Sequence, residues 1–514
     1  MLNLPIKILQ TQQIETAQAT VEFTGIDTLV AQWDAAKKVT SRHLVLIVNA
    51  KSDAGAGHQL LRLRFNGDAG ANYHWENFYG AGAAASGGID TQVSLVIGRI
   101  AGNVANTFGG GLCLIPHAFN TSNHKAMLGL AGGVELVVEM RAGRWASTAA
   151  ITSILVFTEG NFMAGSTIHL GVIDERYLVE EIAGAGDAIF SDIPQGEGDL
   201  AIIGYCRGNR ALTRDSVDLF VNDDLVAANY WTQLLTYWVA AGSSGAANDS
   251  SFGIVTAANA TANAFGALAL TFPQYTKDNM PHYLALSGFH STVGPDAMVR
   301  AASGRRVNIE PINKIQLTAT VGTFVAGSFF SLYRVPKRII DRQELTAPQA
   351  TITFDNIPQN FEALMLHVYA RSSEAAVADE IAITINDDAV AANYDWQELE
   401  GTGAGPPTAT QNLASQQLLY IPADNEGARE FGGGNVLIPS YAETDRHKHL
   451  VAIHGRQENQ VIISSYRWEN TDAIVKIVLA PVGGPNFMAG TVVELEGILR
   501  KEGLPPDEGM LWGV

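Results

Sequence analysis

The chain contains three copies of one sequence pattern, and this repeat constrains its fold more than any single residue does. The clearest part is an Asn-Gly or Asn-Asp phrase followed by an Asn-Tyr phrase, at 66–78, 222–234 and 386–399. The asparagines that open it are 222 − 66 = 156 and 386 − 222 = 164 residues apart. A period of about 160 residues is the size of a whole domain and too long for a solenoid repeat. The sequence therefore predicts three copies of one fold and three sites of one kind.

Three more phrases recur in constant order. They are a Pro phrase at 115–119, 272–275 and 438–441, an Arg-Trp phrase at 144–145 and 467–468, and an Ala-Gly phrase at 160–166, 322–328 and 485–491. The middle copy has Arg306-Val307 at the place we align with the Arg-Trp phrase. Four landmarks in one order make a chance repeat untenable.

Composition limits the classes of protein to consider. Only 17% of the 514 residues are charged and 51 are glycine, which is typical of a β-rich globular protein. The net charge is −19 without a long basic run, so we expect no nucleic-acid partner. The first 20 residues lack a secretory signal and no 18-residue apolar run occurs, so we expect no membrane partner.

The two cysteines, Cys113 and Cys206, lie at non-equivalent points of the repeat. A disulfide framework would recur with the domain, so we interpret both as buried free thiols in a protein kept in a reducing compartment.

Short apolar segments with Gly, Pro and Asn breaks predict strands, for example at 381–385. No helix of 12 or more residues is expected. The small-residue segments 79–88, 241–251 and 401–415 are interpreted as exposed, mobile loops.

We therefore predict an all-β protein of three tandem antiparallel β-sandwich domains, jelly-roll-like and related by the internal repeat. An immunoglobulin-like sandwich is the alternative, although such domains are usually nearer 100 residues. The predicted segments are an N-terminal arm at 1–20, repeats at 21–178, 182–338 and 345–501, and a C-terminal tail at 502–514.

The recurring acidic turns at Asp68, Asp223-Asp224 and Asp387-Asp388 suggest two interpretations. Adjacent carboxylates could bind calcium, but the flanking residues lack ligand spacing for six to eight oxygens. We favour hairpin turns or Asx-turns in which Asn and Asp satisfy backbone N–H groups.

The aromatic residues beside these turns form a candidate surface platform for a sugar ring. The six residues are Tyr73, Trp75, Tyr230, Trp231, Tyr394 and Trp396. The favoured alternative is that they belong to the cores, because recurring aromatics in tandem domains usually bury large areas.

A histidine cluster at His447, His449 and His454 could bind a metal, but the other copies lack the pair, so satisfied surface histidines are favoured. The sequence also lacks the common catalytic motifs. We therefore predict no enzyme, no catalytic residues, no metal and no cofactor.

The third copy, through its segments 352–359 and 364–372 and the phrases after 386, resembles a recurrent unit of tailed-bacteriophage virion proteins. Segments 65–73, 144–154 and 160–165 of the first copy resemble it as well. The middle copy departs from it at Val307 and Thr323. The resemblance implies a structural protein of the virion, assembled in the host cytoplasm, either a capsid decoration (cement) protein or a tail, fibre or baseplate component. Its implied partners are the major capsid or tail proteins, and a homo-oligomer is expected.

Two other functions remain open. An adhesin on the virion surface would bind a host receptor or glycan through the small-residue segments and nearby aromatics, and a polysaccharide-degrading enzyme is a distant third. We also expect the arm at 1–20 to dock on a neighbouring subunit, so that its deletion would prevent incorporation without unfolding the domains.

Overall fold

A computed structural model describes residues 4–40, 42–55, 57–133, 137–196, 198–238, 240–247, 249–291, 296–335, 339–403, 405–456 and 459–500. Strands account for 59% of residues and helix for 4%, which confirms the all-β prediction. The predicted tail at 502–514 lies outside the described residues. No helix within the described ranges is long and apolar enough to cross a membrane.

The strands follow one order in each repeat, and repeat 1 has a helix in addition. Repeat 1 has β1 (Ile6–Gln13), β2 (Gln18–Thr24), α1 (Ile26–Lys37), β3 (Leu44–Ala50), β4 (His58–Phe65), β5 (Tyr73–Ala81), β6 (Ala84–Gln92), β7 (Leu95–Ala101), β8 (Gly109–Ile115), β9 (Lys125–Gly133), β10 (Val137–Trp145), β11 (Ser153–Phe162) and β12 (Thr167–Ile173). Repeat 2 has β13 (Leu178–Gly186), β14 (Ala188–Phe190), β15 (Asp199–Cys206), β16 (Arg214–Val221), β17 (Tyr230–Trp238), β18 (Ala240–Ala247), β19 (Ser251–Thr256), β20 (Gly266–Phe272), β21 (His282–His290), β22 (Ala297–Arg306), β23 (Ile315–Ala319) and β24 (Phe324–Val335).

Repeat 3 has β25 (Ile339–Glu344), β26 (Ile352–Phe354), β27 (Phe361–Ala370), β28 (Ala378–Ile385), β29 (Tyr394–Thr402), β30 (Thr408–Asn412), β31 (Gln417–Pro422), β32 (Gly432–Pro439), β33 (Lys448–Arg456), β34 (Gln460–Trp468), β35 (Ile477–Pro481) and β36 (Val492–Arg500). Short 3₁₀ turns lie at Glu175–Tyr177, Ala227–Asn229 and Ala391–Asn393.

Each repeat is a sandwich of an eight-stranded and a four-stranded sheet, antiparallel throughout. In repeat 1 the larger sheet has the order β1-β12-β3-β8-β9-β10-β5-β6 and the smaller one β2-β11-β4-β7. Repeats 2 and 3 have the same order. Strands β1-β12-β3-β8 facing β2-β11-β4-β7 form a jelly roll, and the hairpins β5–β6 and β9–β10 extend its larger sheet.

The two sheets differ in burial because they face different surroundings. In β16 and β28 of the smaller sheets, buried and partly exposed residues alternate, as expected when one face packs on a core and the other meets water. Strands β3, β9 and β15 of the larger sheets are buried at every position. Both faces of these inner strands are therefore covered, one by the sandwich core and the other by the neighbouring repeats, while edge strands such as β1 and β6 are partly exposed.

The three repeats consequently share a fourth hydrophobic core besides the one inside each sandwich. This central core combines residues of all three larger sheets, including Leu130, Met140, Leu286, Leu399 and Ile453. A cavity of about 20 Å³, roughly the room of one water molecule, lies among its leucines. The sequence predicted three cores, and the shared fourth core is an addition to that prediction.

The repeats pack head to tail into a closed ring around a pseudo-threefold axis. Between repeats 1 and 2, the His117 ring stacks on Phe329 with centroids 4.6 Å apart. Between repeats 2 and 3, Lys277 Nζ lies 2.5 Å from Glu344 Oε1. Between repeats 3 and 1, Asn49 Nδ2 donates to Ser440 Oγ over 2.8 Å. One polypeptide thus forms the closed arrangement that three identical subunits usually form.

Several sequence predictions need correction. Residues 6–13 of the predicted arm form β1, which pairs with β12, so deleting the arm would remove a strand of the sheet. Repeat 2 begins at 178 instead of 182, since its predicted start lies inside β13, and repeat 3 begins one strand earlier than predicted, at β25. Each of these edge strands pairs with the last strand of its own repeat. Helix α1 has 12 residues and was not expected.

The small-residue segments are also different from the prediction. Much of each segment is strand, because β6, β18 and β30 pair with β5, β17 and β29 as the edges of the larger sheets. Cys113 and Cys206 are buried free thiols, as predicted.

Candidate functional site

Each Asn-Gly or Asn-Asp phrase forms a tight hairpin-like turn, which we call a corner turn. Both central residues have positive φ, for example 52° at Asn66 and 67° at Gly67, and 50° at Asn386 and 60° at Asp387. The left-handed conformation at two successive residues is the type I′ geometry that favours Asn, Gly and Asp. The N–H of Asp68 donates to the Phe65 carbonyl over 2.9 Å and closes the turn. The interpretation of these phrases as turns is confirmed.

The asparagine of each corner turn ties it to a distant loop of the same repeat. Asn66 Oδ1 accepts the N–H groups of Thr152 and Ser153 at 2.8 and 3.0 Å, and its Nδ2 donates to the Ala150 carbonyl at 2.7 Å. Asn222 and Asn386 make the same three bonds in their repeats. The amide side chain therefore acts as an architectural bridge.

The tyrosine of each Asn-Tyr phrase holds the corner turn from inside the sandwich. The Tyr73 hydroxyl accepts the Phe65 N–H at 2.9 Å and donates to the Asp68 carbonyl at 3.1 Å. Tyr230 and Tyr394 repeat both bonds at 2.8 to 2.9 Å. All three tyrosines are buried, and burial raises the pKa of Tyr73 to about 12. Their hydroxyls are neutral structural groups.

The aspartate of each corner turn accepts hydrogen bonds from nearby side chains. Asp68 accepts from Asn72 Nδ2 at 2.9 Å and from the Trp145 indole at 2.7 Å, and Asp388 likewise accepts from Asn393 and Trp468 at 2.8 Å each. Burial alone would raise the pKa of Asp388, but these hydrogen bonds bring it below its ordinary value. These carboxylates therefore serve as hydrogen-bond acceptors that hold the corner turn in place.

The middle repeat uses a guanidinium where the others use an indole. Arg306 lies opposite Tyr230 on the neighbouring strand, just as Trp145 lies opposite Tyr73 and Trp468 opposite Tyr394. Arg306 Nε donates to Asp224 Oδ2 over 3.0 Å. The sequence alignment of Arg306 with Arg144 was therefore wrong by one residue, and the true equivalent of Arg144 is Arg305.

The predicted aromatic platform is not present as a surface. Tyr73, Tyr230 and Tyr394 are buried in the corner turns, so their rings cannot accept a sugar. Trp75 and Trp396 sit two residues later and pack on the sandwich cores of repeats 1 and 3. Trp231 follows Tyr230 directly, so it lies on the opposite face of its strand, beneath Arg305 with its ring centroid 5.3 Å from the guanidinium. The six residues do not converge on one face.

Of the three predicted surface histidines, His447 is half-buried and the other two are buried. His449 and His454 are 2% and 0% exposed, and their Nε2 atoms lie 3.0 and 3.2 Å from Ser465 Oγ and Ser464 Oγ. Within the described ranges, no group of three or more His, Cys, Asp or Glu side chains is arranged to hold a metal ion.

The pseudo-threefold axis is formed by the hairpins β5–β6, β17–β18 and β29–β30, which we call the axis hairpins. Each crosses the next in one sense around the ring. Gln397 Nε2 donates to the Gly82 carbonyl of repeat 1 at 3.1 Å, and Gln233 Nε2 donates to the Gly403 carbonyl of repeat 3 at 3.2 Å. The Tyr237 ring of repeat 2 packs on Phe78 of repeat 1 with centroids 5.5 Å apart. These contacts join the three repeats to one another around the axis.

Repeat 1 has Glu76 at the position of the two glutamines. Glu76 is fully buried, and neither carboxyl oxygen has a hydrogen-bond partner. Burial raises the pKa of Glu76 to about 10, so this carboxyl is protonated at neutral pH. Sequence reasoning missed this set, although a Glu or Gln three residues after each recurring tyrosine was a visible signal.

Comparisons with known proteins identify no family for this chain. No family model and no curated protein matches it. Among solved structures, domains LG4-5 of the mouse laminin α1 chain are 10% identical, with 62% of this chain and 89% of that chain covered and a TM-score of 0.15. An exo-inulinase from Aspergillus awamori is 9% identical, with 56% and 68% covered and a TM-score of 0.20. A triple mutant of the Rhodopseudomonas blastica porin is 10% identical, with 82% and 100% covered and a TM-score of 0.11. Likenesses at these scores carry no argument.

Proposed function

We propose that this chain is a non-enzymatic structural protein of a bacteriophage virion, either a capsid decoration protein or a component of the tail, fibre or baseplate. Its partners in this proposal are the major capsid or tail proteins, and further copies of the chain. The proposal rests on the resemblance of the repeat to a virion unit together with one structural observation.

That observation is the use of the recurring residues. In each corner turn the asparagine, tyrosine and aspartate have their polar groups committed to the backbone or to neighbouring side chains, including the indole or guanidinium that donates to the aspartate. Residues that recur because of a shared chemical reaction would need a free nucleophile, acid or base facing a cleft. Residues that recur because they build the same structural unit need a hydrogen-bond network that satisfies their polar groups in every copy, as is seen here.

The closed ring also suits a particle component. A threefold or quasi-threefold position on a shell, or a trimeric tail, can be filled by one chain whose three sandwiches surround one axis. Because the repeats are linked, weak contacts from each of them add into firm attachment.

The proposal is tested by locating the protein on purified particles of the phage that encodes it. Mass spectrometry of gradient-purified particles should find the chain at a fixed copy number, and cryo-electron microscopy should show a three-lobed density of about 55 kDa, matching the 54.8 kDa chain. Particles from a deletion mutant serve as the control and should lack that density. Absence of the chain from washed particles, with the protein recovered only from the soluble lysate, would refute the proposal.

A further inference from the structure

The three interfaces of the ring carry an arginine at one equivalent position. Arg144, Arg305 and Arg467 occupy the same place on β10, β22 and β34, opposite His74, Trp231 and Asp395 respectively. Their side chains lie on the sheet face turned toward the other repeats. A buried guanidinium keeps its charge, so each needs a counter-charge.

Two of the three arginines have a carboxylate partner. Arg305 Nη1 lies 2.7 Å from Glu430 Oε1, which repeat 3 supplies across the interface from the loop before β32. Arg467 is paired with Asp395 on the adjacent strand, where Nε donates to Oδ2 at 3.0 Å, and with Glu469. The interfaces therefore use two different sources of negative charge.

Arg144 has neither source. The place of Asp395 is taken by His74. The place of Glu430 is taken by Ala264, since both residues lie three positions before the equivalent pair Ala267 and Gly433. The same turn hydrogen bond supports this equivalence, from Ala264 N to Thr261 O and from Glu430 N to Gly427 O, at 3.0 to 3.1 Å. Ala264 offers a methyl group where repeat 3 offers a carboxylate.

The surroundings of Arg144 contain donors and no described acid. Arg144 is 1% exposed, and its Nε and Nη2 have no hydrogen-bond partner. Its Nη1 lies 3.3 Å from His124 Nδ1. The rings of His74 and His290 are 5.2 Å apart, and at least one ring nitrogen of the buried His290 has no partner. Arg144, His74, His124 and His290 form what we call the Arg144 cluster.

The electrostatics of the cluster agree with this arrangement. Burial, and after it the charge of Arg144, lowers the pKa of His74 and of His124 to about 4. Burial, His74 and Arg144 together lower the pKa of His290 to about 3. The histidines are neutral at pH 7, each with an N–H to donate, and Arg144 is the only full charge of the four. His124 is partly exposed, which gives the cluster a route to solvent.

We propose that the Arg144 cluster binds a small inorganic anion, chloride in the simplest case, at the interface of repeats 1 and 2. The anion takes the place that Glu430 holds beside Arg305. It accepts hydrogen bonds from the unpartnered Nε and Nη2 of Arg144 and from a neighbouring imidazole N–H, and it neutralises a guanidinium that has no described carboxylate partner.

Chloride titration of the full chain tests the proposal. Thermal unfolding is followed from 1 to 300 mM sodium chloride, with sodium gluconate holding the ionic strength constant so that general screening does not change. Above the dissociation constant, each tenfold rise in chloride should raise the midpoint by about 1–3 °C. Crystals soaked in bromide should show an anomalous peak about 3.3 Å from the Arg144 guanidinium nitrogens, as expected for a charge-assisted contact to a large halide.

Two matched variants exchange the residues that repeats 2 and 3 have at this equivalent position. Ala264→Glu supplies repeat 2 with the carboxylate that repeat 3 has, so it should abolish the chloride response and the bromide peak while preserving the fold. Glu430→Ala leaves Arg305 without that partner, so it should add a second chloride response. If the unmodified protein shows no chloride response at constant ionic strength and no bromide peak at Arg144, the proposal is wrong. A phosphate or sulfate response without a chloride response would overturn chloride as the ligand.

Discussion

The corner turns and the axis of the ring have diverged to different extents within the same three repeats. At the corner turns, one asparagine, one tyrosine and one aspartate make the same hydrogen bonds three times. The indole of Trp145 and Trp468 is replaced in the middle repeat by the guanidinium of Arg306 and the amide of Asn308. At the axis, equivalent positions hold Glu76, Gln233 and Gln397, and at the interfaces between the repeats the three equivalent arginines have three different surroundings.

The difference follows from what each region joins. A corner turn closes within one repeat, so every copy must satisfy its own polar groups and the solution stays the same. An interface joins two different repeats of one chain, so a substitution can change one interface alone, whereas identical subunits would carry it at all three interfaces. The exchange of Trp for Arg shows that the corner turn requires an N–H donor to its aspartate, rather than an aromatic ring.

Acidification should have the largest effect on stability, and it should weaken the interfaces between repeats before the corner turns. His117, His282 and His449 lie at interfaces, and burial, the largest cause in each case, lowers their pKa to about 4, 3 and 3. The unfolded chain takes up these protons near pH 6.5 while the folded one does not, so stability falls as the pH drops from about 6.5 toward 4. We expect the unfolding midpoint to fall by more than about 10 °C between pH 7 and 4.5, because several histidines act together. Hydrogen exchange should rise at the interfaces before the corner turns, whose aspartates have lowered pKa values; equal rates in both regions would contradict this.

Loss of a corner carboxylate should have the next largest effect. Asp388→Ala leaves the Trp468 indole and the Asn393 amide without their acceptor, so we expect a loss of about 2–3 kcal/mol in the free energy of unfolding, measured by denaturant titration. The control is Asp387→Asn in the same turn, whose side chain is mostly exposed and whose replacement tolerates the left-handed conformation. That variant should lie within about 0.5 kcal/mol of the parent.

Glu76→Gln should stabilise the ring, by about 1–2 kcal/mol at pH 7. The glutamine has the amide that repeats 2 and 3 already use at this position, and the buried carboxyl is removed. The pKa of Glu76 is raised, so the parent loses stability relative to the variant as the pH rises from about 4.5 to about 10. Gln397→Glu is the matched reverse change and should destabilise. Equal stability of Glu76→Gln and the parent across this range would show that Glu76 is not a buried acid.

Tyr73→Phe should have the smallest effect, a loss of about 1 kcal/mol, because the Phe65 N–H loses its acceptor while the ring remains packed. Tyr230→Phe and Tyr394→Phe should cost the same amount within about 0.5 kcal/mol, since the three corner turns are equivalent. A markedly unequal cost in chemical denaturation would break the claimed equivalence.

The sequence was sufficient for the repeat, the fold class and the corner turns, because these depend on local patterns. Asn66-Gly67 and Asn386-Asp387 are turn signals in themselves, and the alternation in β28 is a strand signal. The shared core was missed although a signal existed. Segments such as 44–50 and 125–133 contain continuous apolar or small residues instead of alternating, which is typical of strands covered on both faces.

The site residues were harder to assign for a geometric reason. Aligning Arg306 with Arg144 is a shift of one residue, and in a strand such a shift moves a side chain to the opposite face. The small-residue segments were predicted as loops because Gly and Ala bury little area, yet at the axis small residues let strands approach closely. At Gly80, an added Cβ would lie 3.0 Å from the Glu398 carbonyl oxygen of another repeat.

Because the three sandwiches belong to one polypeptide, each can differ in sequence, and the three sides of the ring are chemically distinct. A rotation by 120° leaves the backbone outline nearly unchanged but replaces a protonated acid by an amide and a solitary guanidinium by an ion pair. A partner with strict threefold symmetry would therefore offer this protein three docking orientations of unequal energy. Binding in the preferred orientation would therefore make three otherwise equivalent positions of that partner different from one another.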